Sequence, residues 1–471
     1  MINRRDLLLS FGATSLAACA PLPTARQLGN LELADITVRT QMRGEQLMQD
    51  YIGLSFESQL LADPAWFHGG NAVLQALFKN LTPSGVLRIG GSSSDSSLWQ
   101  RDEAALPARH SHAIRPADID RLAAFAQACG WRVVYGLNLA LGDARRAADE
   151  AAYVAQRLGS QLEAFQIGNE PDLYERRGLR PAGYDAEAFV AEWQAFAAAV
   201  RARAGEVPFA GPEVGFRQDW FETFARSCAG QVRFLSEHYY PVGPANDNSV
   251  DLSTLLASEV LRAEQMKSPV QTAAAVYRPL RVTEANSCYE HGKAGLSDIA
   301  ASAFWAMDVS MGFCRDGWGG IYFHGGPGRV YSPIERDATG NFVARPIYYG
   351  LLLAARAAPL TLVEATTRER PAFLRLWAGV TAQGHIRVVL VNPHQANAVD
   401  VRVDANRPLQ RADVLRLRVP TLYSRDGLSL GGAPVAVDGS WKPAQPEAAS
   451  VQGNAAFVTV SAAGAMVLTL D

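Results

Sequence analysis

Short apolar runs alternate with longer segments of helical period through most of this chain. The runs that read as buried strands are residues 51–56, 85–91, 132–139, 162–168, 208–214, 232–240, 280–284 and 320–324. The segments that read as helices are residues 116–129, 144–158, 186–203, 252–266 and 296–311. Strands that alternate with helices indicate a parallel sheet covered on both faces. Eight such units predict an α/β fold, a (β/α)8 TIM barrel, over residues 50–357.

The pattern changes in the last part of the chain. Alternating apolar and polar residues, broken by turn signals, occupy residues 373–377, 385–391, 399–403, 414–419 and 456–460. No further segment there has helical length, so residues 358–471 predict a C-terminal antiparallel β-sandwich domain. Residues 31–45 also begin with alternation, and we expect an N-terminal strand there to join that sandwich.

The first thirty residues are typical of an export signal and a tether. Arg4 and Arg5 precede an apolar stretch that is too short to span a bilayer, as in a twin-arginine leader. The sequence ending at Cys19 resembles a bacterial lipobox, which predicts cleavage after residues 1–18 and a lipid anchor on Cys19. A plain signal peptide over residues 1–19 with a chance cysteine is the alternative. We therefore expect a periplasmic or outer-membrane lipoprotein, with residues 20–30 as its tether.

Composition limits the partners of the protein. The 471 residues carry 44 Lys and Arg against 47 Asp and Glu, a net charge of −3. No basic field is available to hold nucleic acid or an anionic membrane surface. We expect a monomer or a weak oligomer.

Neither a metal site nor a cofactor site is indicated. His110 and His112 form the only tight histidine pair and lack a third ligand nearby. The glycines around Pro327 lack the context of a dinucleotide-binding fingerprint. The cysteines after the signal have no zinc-type spacing, and any disulfide pairing among them stays open: Cys129, Cys228, Cys288 and Cys314.

Two glutamates end predicted barrel strands four and seven. Glu170 follows the run at 162–168, and Glu284 ends the run at 280–284. Active sites of TIM barrels lie at this end of the strands, where these two positions face each other across the mouth. Retaining glycoside hydrolysis needs such a carboxyl pair, one as nucleophile and one as acid and then base.

These motifs carry a resemblance to a known family. Gly168-Asn169-Glu170-Pro171 and Thr283-Glu284 resemble the clan of TIM-barrel retaining glycosidases. Three further segments resemble glycoside hydrolase family 79, the heparanase and β-glucuronidase family: Leu87-Arg88-Ile89-Gly90-Gly91, His238-Tyr239-Tyr240 and Ser287-Cys288-Tyr289. The resemblance implies hydrolysis of β-linked glucuronic acid, with Glu170 as the acid/base and Glu284 as the nucleophile.

The resemblance also implies binding residues. Asn169 corresponds to the asparagine that, in this clan, forms a hydrogen bond with the 2-hydroxyl of the sugar. A tyrosine in strand six contacts the nucleophile in this family. Alternation along the strand places His238 and Tyr240 on one face, which favours Tyr240, although a one-residue shift would select Tyr239.

Further residues are implied for the substrate carboxylate and hydroxyls. For the carboxylate they are Tyr289, the turn that ends at Gly292, and Tyr331. The family commonly has glycines in this turn, whereas this chain has Glu290 and His291 before Gly292, so we expect the Glu290 side chain to face away. The residues expected at sugar hydroxyls or at the non-reducing side are His324, Glu57 and Asp102.

The sequence thus predicts a retaining exo-β-glucuronidase that acts on a glycoside or oligosaccharide containing glucuronic acid. An endo-acting, heparanase-like enzyme is the alternative, but a cleft for a sulfated chain should be lined with basic residues. Near the loops at 63–71 and 92–112 the basic residues are Arg88, Arg101, Arg109 and Arg115. Two other hypotheses are a carbohydrate-binding lipoprotein without chemistry, and an arabinofuranosidase or xylosidase on the same barrel.

Overall fold

The computed structural model describes residues 31–102, 104–107 and 112–471. The predicted signal, the lipobox with Cys19 and the tether lie outside this range, as do Arg109 and His110, so export and lipid anchoring stay predictions. Within the described range, no helix combines the length and the apolarity needed to cross a membrane.

The strands are numbered in chain order. They are β1 (Leu31–Leu47), β2 (Ile52–Glu57), β3 (Val86–Gly90), β4 (Ser97–Trp99), β5 (His112–Ile114), β6 (Arg132–Leu137), β7 (Leu162–Ile167), β8 (Ala210–Val214), β9 (Phe234–Tyr239), β10 (Leu280–Ala285), β11 (Trp318–Gly325), β12 (Ile334–Arg336), β13 (Phe342–Ala344), β14 (Leu360–Glu369), β15 (Arg375–Val380), β16 (Ile386–Asn392), β17 (Ala398–Asp404), β18 (Ala412–Arg418), β19 (Ser429–Leu430), β20 (Glu447–Ala448), β21 (Ser450–Gln452), β22 (Ala455–Val460) and β23 (Gly464–Leu470).

The α-helices lie mostly between the strands of the first part. They are α1 (Ala72–Leu81), α2 (Pro116–Cys129), α3 (Ala144–Leu158), α4 (Ala186–Ala204), α5 (Gln218–Cys228), α6 (Leu252–Gln265), α7 (Lys267–Ala275), α8 (Ala301–Arg315) and α9 (Pro346–Ala357).

Eight parallel strands form a nearly closed barrel in the order β7-β6-β3-β2-β11-β10-β9-β8. The remaining gap is bridged where the Phe165 amide of β7 donates to the carbonyl of Pro208, just before β8, at 2.8 Å. Nearly every residue of these strands is buried, which explains their continuous apolar runs. The predicted TIM barrel is confirmed, and all eight runs correspond to its strands.

The second large sheet is mostly antiparallel and follows the order β19-β18-β23-β16-β15-β14-β1-β17-β22-β21. The N-terminal strand β1 pairs antiparallel with β14 and parallel with β17, and buries Ala34, Ile36 and Val38. These side chains belong to a separate apolar core that contains residues from both ends of the sheet. The fold is therefore a TIM barrel with a β-sandwich, as predicted.

Helices α8 and α9 pack against each other and contact both the barrel and the sandwich. All of α8 except its last residue, Arg315, is buried. The predicted segment 296–311 is shifted relative to α8, which begins at Ala301, because the preceding residues form turns. A helix that is buried on all sides has no polar face to mark its ends.

The four cysteines in the described range form no disulfide, and each is a buried thiol. Burial raises the pKa of the Cys129 thiol to about 12 and that of Cys228 to about 11. Such thiols are poor nucleophiles at neutral pH, so these side chains are packing residues.

Candidate active site

Glu170 and Glu284 meet at the carboxyl end of the barrel. Glu170 follows β7, Glu284 lies near the end of β10, and both are buried. One carboxylate oxygen of each lies within 4.8 Å of the other and of a ring nitrogen of His238 on β9. A single sugar ring bound in this mouth could therefore contact both carboxylates.

The backbone at two strand ends is bent to bring acidic side chains into the mouth. Glu170 (φ 53°) and Glu213 (φ 66°) both have left-handed backbone conformations. The Glu170 amide donates to the Glu213 carbonyl at 2.8 Å, which joins the ends of β7 and β8. A non-glycine residue in this region costs on the order of 1–3 kcal/mol, and such strain clusters at functional sites.

Arg88 of β3 is the central cation beneath the two carboxylates and is 1% exposed. Its Nη1 donates to Oε2 of Glu284 at 2.6 Å, and its Nη2 lies 3.0 Å from Oε2 of Glu213. Nη2 also donates to Oδ1 of Asn169 at 2.8 Å. One buried guanidinium thus orients residues from three other strand ends.

His238 connects the acid/base candidate to Glu213. Its Nδ1 lies 3.1 Å from Oε1 of Glu170, and its Nε2 lies 3.1 Å from Oε2 of Glu213. Burial would lower the pKa of this imidazole, but the surrounding carboxylates, Glu284 first among them, raise it to about 10. The ring is therefore protonated at neutral pH and donates to both carboxylates.

Glu284 is held in its ionised form. The Tyr240 hydroxyl donates to its Oε1 at 2.7 Å, and Nδ1 of His324 lies 3.9 Å from its Oε2. Burial would raise the pKa of Glu284, but the histidines and the Arg88 guanidinium lower it well below its usual range. An ionised carboxylate is what a nucleophile requires.

Glu170 has different neighbours. Besides His238, it pairs through Oε2 with Nη2 of Arg177, a residue seven positions later on the same loop. Burial would raise the pKa of Glu170, but His238 and Arg177 outweigh it and lower the pKa. His238 and Arg177 together therefore favour the ionised form of Glu170, whereas a general acid has to carry a proton.

A second charged group lies at the ends of β2 and β11. Oε1 of Glu57 accepts from Nη2 of Arg329 at 2.6 Å and lies 3.5 Å from Nε2 of His324. Burial would raise the pKa of Glu57, but His324 and Arg329 lower it to about 2. Gly91 (φ 73°) allows this packing, because a Cβ there would lie 2.6 Å from Oε2 of Glu57.

These groups surround one cavity of about 590 Å³, within the usual range for small-ligand sites. The residues that the sequence analysis singles out in its wall are Glu57, Glu170, Tyr240, Glu284, Tyr289, His324 and Tyr331. The other lining residues are Ser92, Leu173, Arg176, Arg177, Phe216, Pro244, Glu290, His291 and Arg329.

Three predicted site residues lie outside the wall. Asn169 is buried directly behind it, held by Arg88. Gly292 packs against Tyr331, where a Cβ would lie 2.9 Å from the Tyr331 amide nitrogen. Asp102 is exposed, and its carboxylate accepts from the amide of Ala104 at 3.3 Å. The expected role of Asp102 at the non-reducing side of the site therefore stays a prediction.

The turn after β10 also differs from expectation. Glu290 and His291 both line the cavity, although Glu290 was expected to face away. Both have left-handed backbone conformations, with φ 59° and 72°. The wall at this position therefore contains an exposed carboxylate next to an imidazole.

Glu170, His238 and Glu284 are the one group in the described range whose spacing could hold a metal ion. Both ring nitrogens of His238 face carboxylates, and its raised pKa keeps both protonated. These contacts tie the three side chains into one hydrogen-bonded network with Glu213 and Arg88.

The family model described as "Glycosyl hydrolase family 79, N-terminal domain" matches residues 71–311, which is more than half of the chain. The chain belongs to glycosyl hydrolase family 79. The match includes both glutamates, Arg88 and His238, and it confirms the resemblance read from the motifs.

Similar proteins agree with this family at low identity. A β-glucuronidase of Aspergillus niger is 24% identical over an alignment of 310 positions that covers 57% of this chain and 56% of that protein's length. A β-glucuronidase of Neurospora crassa is 22% identical over an alignment of 447 positions that covers 81% of this chain and 78% of that protein's length. The crystal structure of a 4-O-α-L-rhamnosyl-β-D-glucuronidase from Fusarium oxysporum shares the fold, with a TM-score of 0.76, 18% identity and coverage of 92% and 100% of the two chains.

Sequence reasoning assigned no role to several charged residues of this family 79 site. Arg88 and Glu213 each interrupt an apolar strand, and a charge within a buried run was a usable signal for a position at the barrel mouth. Arg176, Arg177 and Arg329 lie in loops and had no such signal. All three arginines line the cavity, so the wall carries a group of cations that the net charge of −3 does not indicate.

Proposed function

We propose that this protein is a retaining β-glucuronidase that removes terminal β-linked glucuronic acid from a glycoside. The observation that carries the proposal is the approach of Glu170 and Glu284 to within 4.8 Å in a family 79 barrel. Retaining glycosidases hold their two carboxyl groups about 5–5.5 Å apart, whereas inverting enzymes leave room for a water between them.

In the first step Glu284 attacks the anomeric carbon, and Glu170 protonates the departing glycosidic oxygen. The carbon–oxygen bond to the leaving group breaks as the bond to Glu284 forms. In the second step Glu170 takes a proton from water, which attacks the same carbon and releases Glu284 and glucuronic acid. Arg88 and Tyr240 support Glu284 because both donate hydrogen bonds to its carboxylate.

The cavity also suits a sugar that bears a carboxylate. Tyr289 and Tyr331 supply hydroxyl donors, and Arg329 supplies a cation in the same wall. Asn169 has its Oδ1 occupied by Arg88, which leaves its NH2 group for the 2-hydroxyl of the sugar.

We assign exo rather than endo action because of where the cations lie. The cavity arginines come from the loops after β7 and β11, not from the loops at 63–71 and 92–112. Arg101 pairs with Asp149 at 2.6 Å and does not line the cavity. A long sulfated chain would need a row of cations along the groove.

The test uses the purified protein with 4-nitrophenyl β-D-glucuronide, the matching glucoside and xyloside, the α-L-arabinofuranoside, and heparan sulfate. We expect turnover of the glucuronide alone among the aryl glycosides, with β-glucuronic acid as the first product seen by proton NMR. Shortening of heparan sulfate without aryl-glucuronide turnover would favour the endo-acting alternative. Equal turnover of xyloside or arabinofuranoside would contradict the substrate assignment.

A further inference from the structure

Two consecutive arginines follow the acid/base candidate on one loop. Arg176 and Arg177 come six and seven residues after Glu170, and both line the cavity. Arg177 is bound to Glu170. Arg176 is exposed and, among the described residues, has no hydrogen-bond or ion-pair partner.

The proposed role of Glu170 assigns Arg177, and with it the adjacent Arg176, to the leaving-group side of the cavity. An acid/base must contact the glycosidic oxygen, so a cation bound to Glu170 borders the group attached to that oxygen. The Glu57–Arg329 pair belongs to β2 and β11, on other loops of the mouth. Burial and nearby acidic groups raise the pKa of Tyr289, and the Arg176 charge opposes this rise. Both side chains line the same cavity.

An apolar surface adjoins the two cations. Phe216 is 52% exposed, and its ring stands edge-on to Tyr289 with centroids 5.7 Å apart. The Asp172 carboxylate fixes this loop, because it accepts from the amides of Gly215, Phe216 and Arg217 at 2.9–3.1 Å. A large apolar side chain held exposed in a cavity is a contact surface for a ligand.

From these contacts we infer that the leaving-group side selects aglycones that carry a carboxylate or sulfate on a flat or apolar body, with Arg176 as the residue that binds the anion. The inference rests on the proposed function and names the substrate class of that same site. The body of the aglycone lies against Phe216. The anion also competes with Glu170 for Arg177, which frees Oε2 of Glu170 to carry the proton that the leaving group needs.

The pKa of Glu170 agrees with a competition between Glu170 and the substrate anion for Arg177. His238 and, after it, Arg177 lower the pKa of Glu170, which favours the ionised form of this carboxyl group. A second anion beside Arg177 shares its charge and lets the pKa of Glu170 rise. Substrate binding and activation of the acid are then coupled.

The test compares 3-carboxyphenyl β-D-glucuronide with the methyl ester of its aglycone carboxyl group. This ester adds one methyl group, removes the charge of the aglycone and leaves the glucuronic acid unchanged. For the unmodified protein we expect a kcat/KM at least about tenfold higher for the carboxylate, the size of one charge-assisted hydrogen bond. In Arg176→Gln the ratio should fall close to one, mainly through KM. Arg145→Gln, on the exposed start of α3 away from the cavity, is the matched control and should keep the ratio of the unmodified protein.

The outcomes separate the inference from the function beneath it. If the unmodified protein turns over the ester but shows a ratio near one, the inference is wrong and the proposed function stands. If Arg176→Gln slows both substrates equally, Arg176 binds the carboxylate of glucuronic acid itself, and the inference is again overturned. If neither glucuronide is hydrolysed, the proposed function fails.

Discussion

The Tyr240 hydroxyl donates a 2.7 Å hydrogen bond to Oε1 of Glu284. The donor follows the last residue of β9 and the acceptor lies near the end of β10, so the pair joins two adjacent barrel strands. Tyr239 points to the other side of β9, where its ring packs against Phe313 with centroids 5.0 Å apart. The two neighbouring tyrosines therefore offer a matched comparison.

Tyr240→Phe should lower kcat/KM at neutral pH by about 10- to 100-fold, the range for one hydrogen bond to a charged group. Glu284 acts when ionised, so activity is lost as the pH falls through its pKa. The hydrogen bond lowers that pKa, and its removal should move the acidic limb of the pH profile to higher pH. Tyr239→Phe should leave the limb in place, and a shift in both variants would contradict the assignment.

Arg177→Gln should move the alkaline limb of the pH profile of kcat/KM to higher pH. Glu170 must be protonated to act as the acid, so activity is lost as the pH rises through its pKa. Arg177 contributes to lowering this pKa. Without that cation the alkaline limb of kcat/KM for a neutral aryl glucuronide should shift up by about one pH unit.

Arg177→Lys keeps the charge and is the control for this shift. It should retain most of the original pH profile. An unchanged limb in Arg177→Gln would show that the contact with Glu170 does not influence the acid.

Glu213→Gln tests the buried network below the site. Glu213 faces the Arg88 guanidinium and the His238 imidazolium, and it is fully buried. Removing one partner of a buried charge pair costs about 3 kcal/mol in the free energy of unfolding. Urea denaturation should detect this loss, and kcat/KM should fall as well because Arg88 and His238 also orient the two catalytic candidates.

Glu163→Gln is the matched control at the other end of the barrel. Glu163 is also fully buried, and it pairs with Arg132 and Arg281, each at 2.7 Å. It should lower the free energy of unfolding while leaving kcat/KM close to that of the unmodified protein. Equal loss of activity in both variants would mean that Glu213 acts through stability alone.

Azide should distinguish the roles of the two carboxyl groups. Glu284→Ala should lower turnover by more than about 10⁴-fold, and azide should restore part of it with the α-glucuronosyl azide as product. Glu170→Ala should lose about 10²–10⁴-fold on poor leaving groups, and azide should give the β-anomer. Proton NMR of the products reads the anomer directly, and reversed anomers would exchange the assignments.

Much of this site was predictable from the sequence, because the carboxyl ends of the strands of a parallel barrel all lie around one mouth. Polar residues at the ends of predicted strands are therefore expected to lie close together. Glu170, Glu284 and Tyr240 follow from their places at the ends of β7, β10 and β9. The apolar runs predicted the eight barrel strands for the same reason, since both faces of each strand are buried. Two strands of the sandwich were missed because neither shows clear alternation. Strand β14 is long and partly exposed, and β23 is a nearly continuous apolar run close to the end of the chain.

The loop residues could not be predicted in this way. Arg177 reaches Glu170 through a turn whose path depends on tertiary packing, and Arg329 reaches Glu57 across 272 residues of sequence. Asp102 follows a strand-like segment but turns its side chain onto its own backbone. Hydrophobic periodicity predicts which face of a helix or strand is buried. It does not predict which residues a loop side chain contacts.

The most direct measurement is covalent trapping with 2-deoxy-2-fluoro-β-D-glucuronyl fluoride, followed by peptide mass mapping. The fluorine at C2 slows both formation and hydrolysis of the glycosyl–enzyme ester. Fluoride is a good leaving group and compensates in the formation step only, so the ester accumulates. The account predicts time-dependent inactivation with one glucuronyl adduct on Glu284, and no adduct in Glu284→Ala. An adduct on a different residue, or release of α-glucuronic acid as the first product without any adduct, would contradict it.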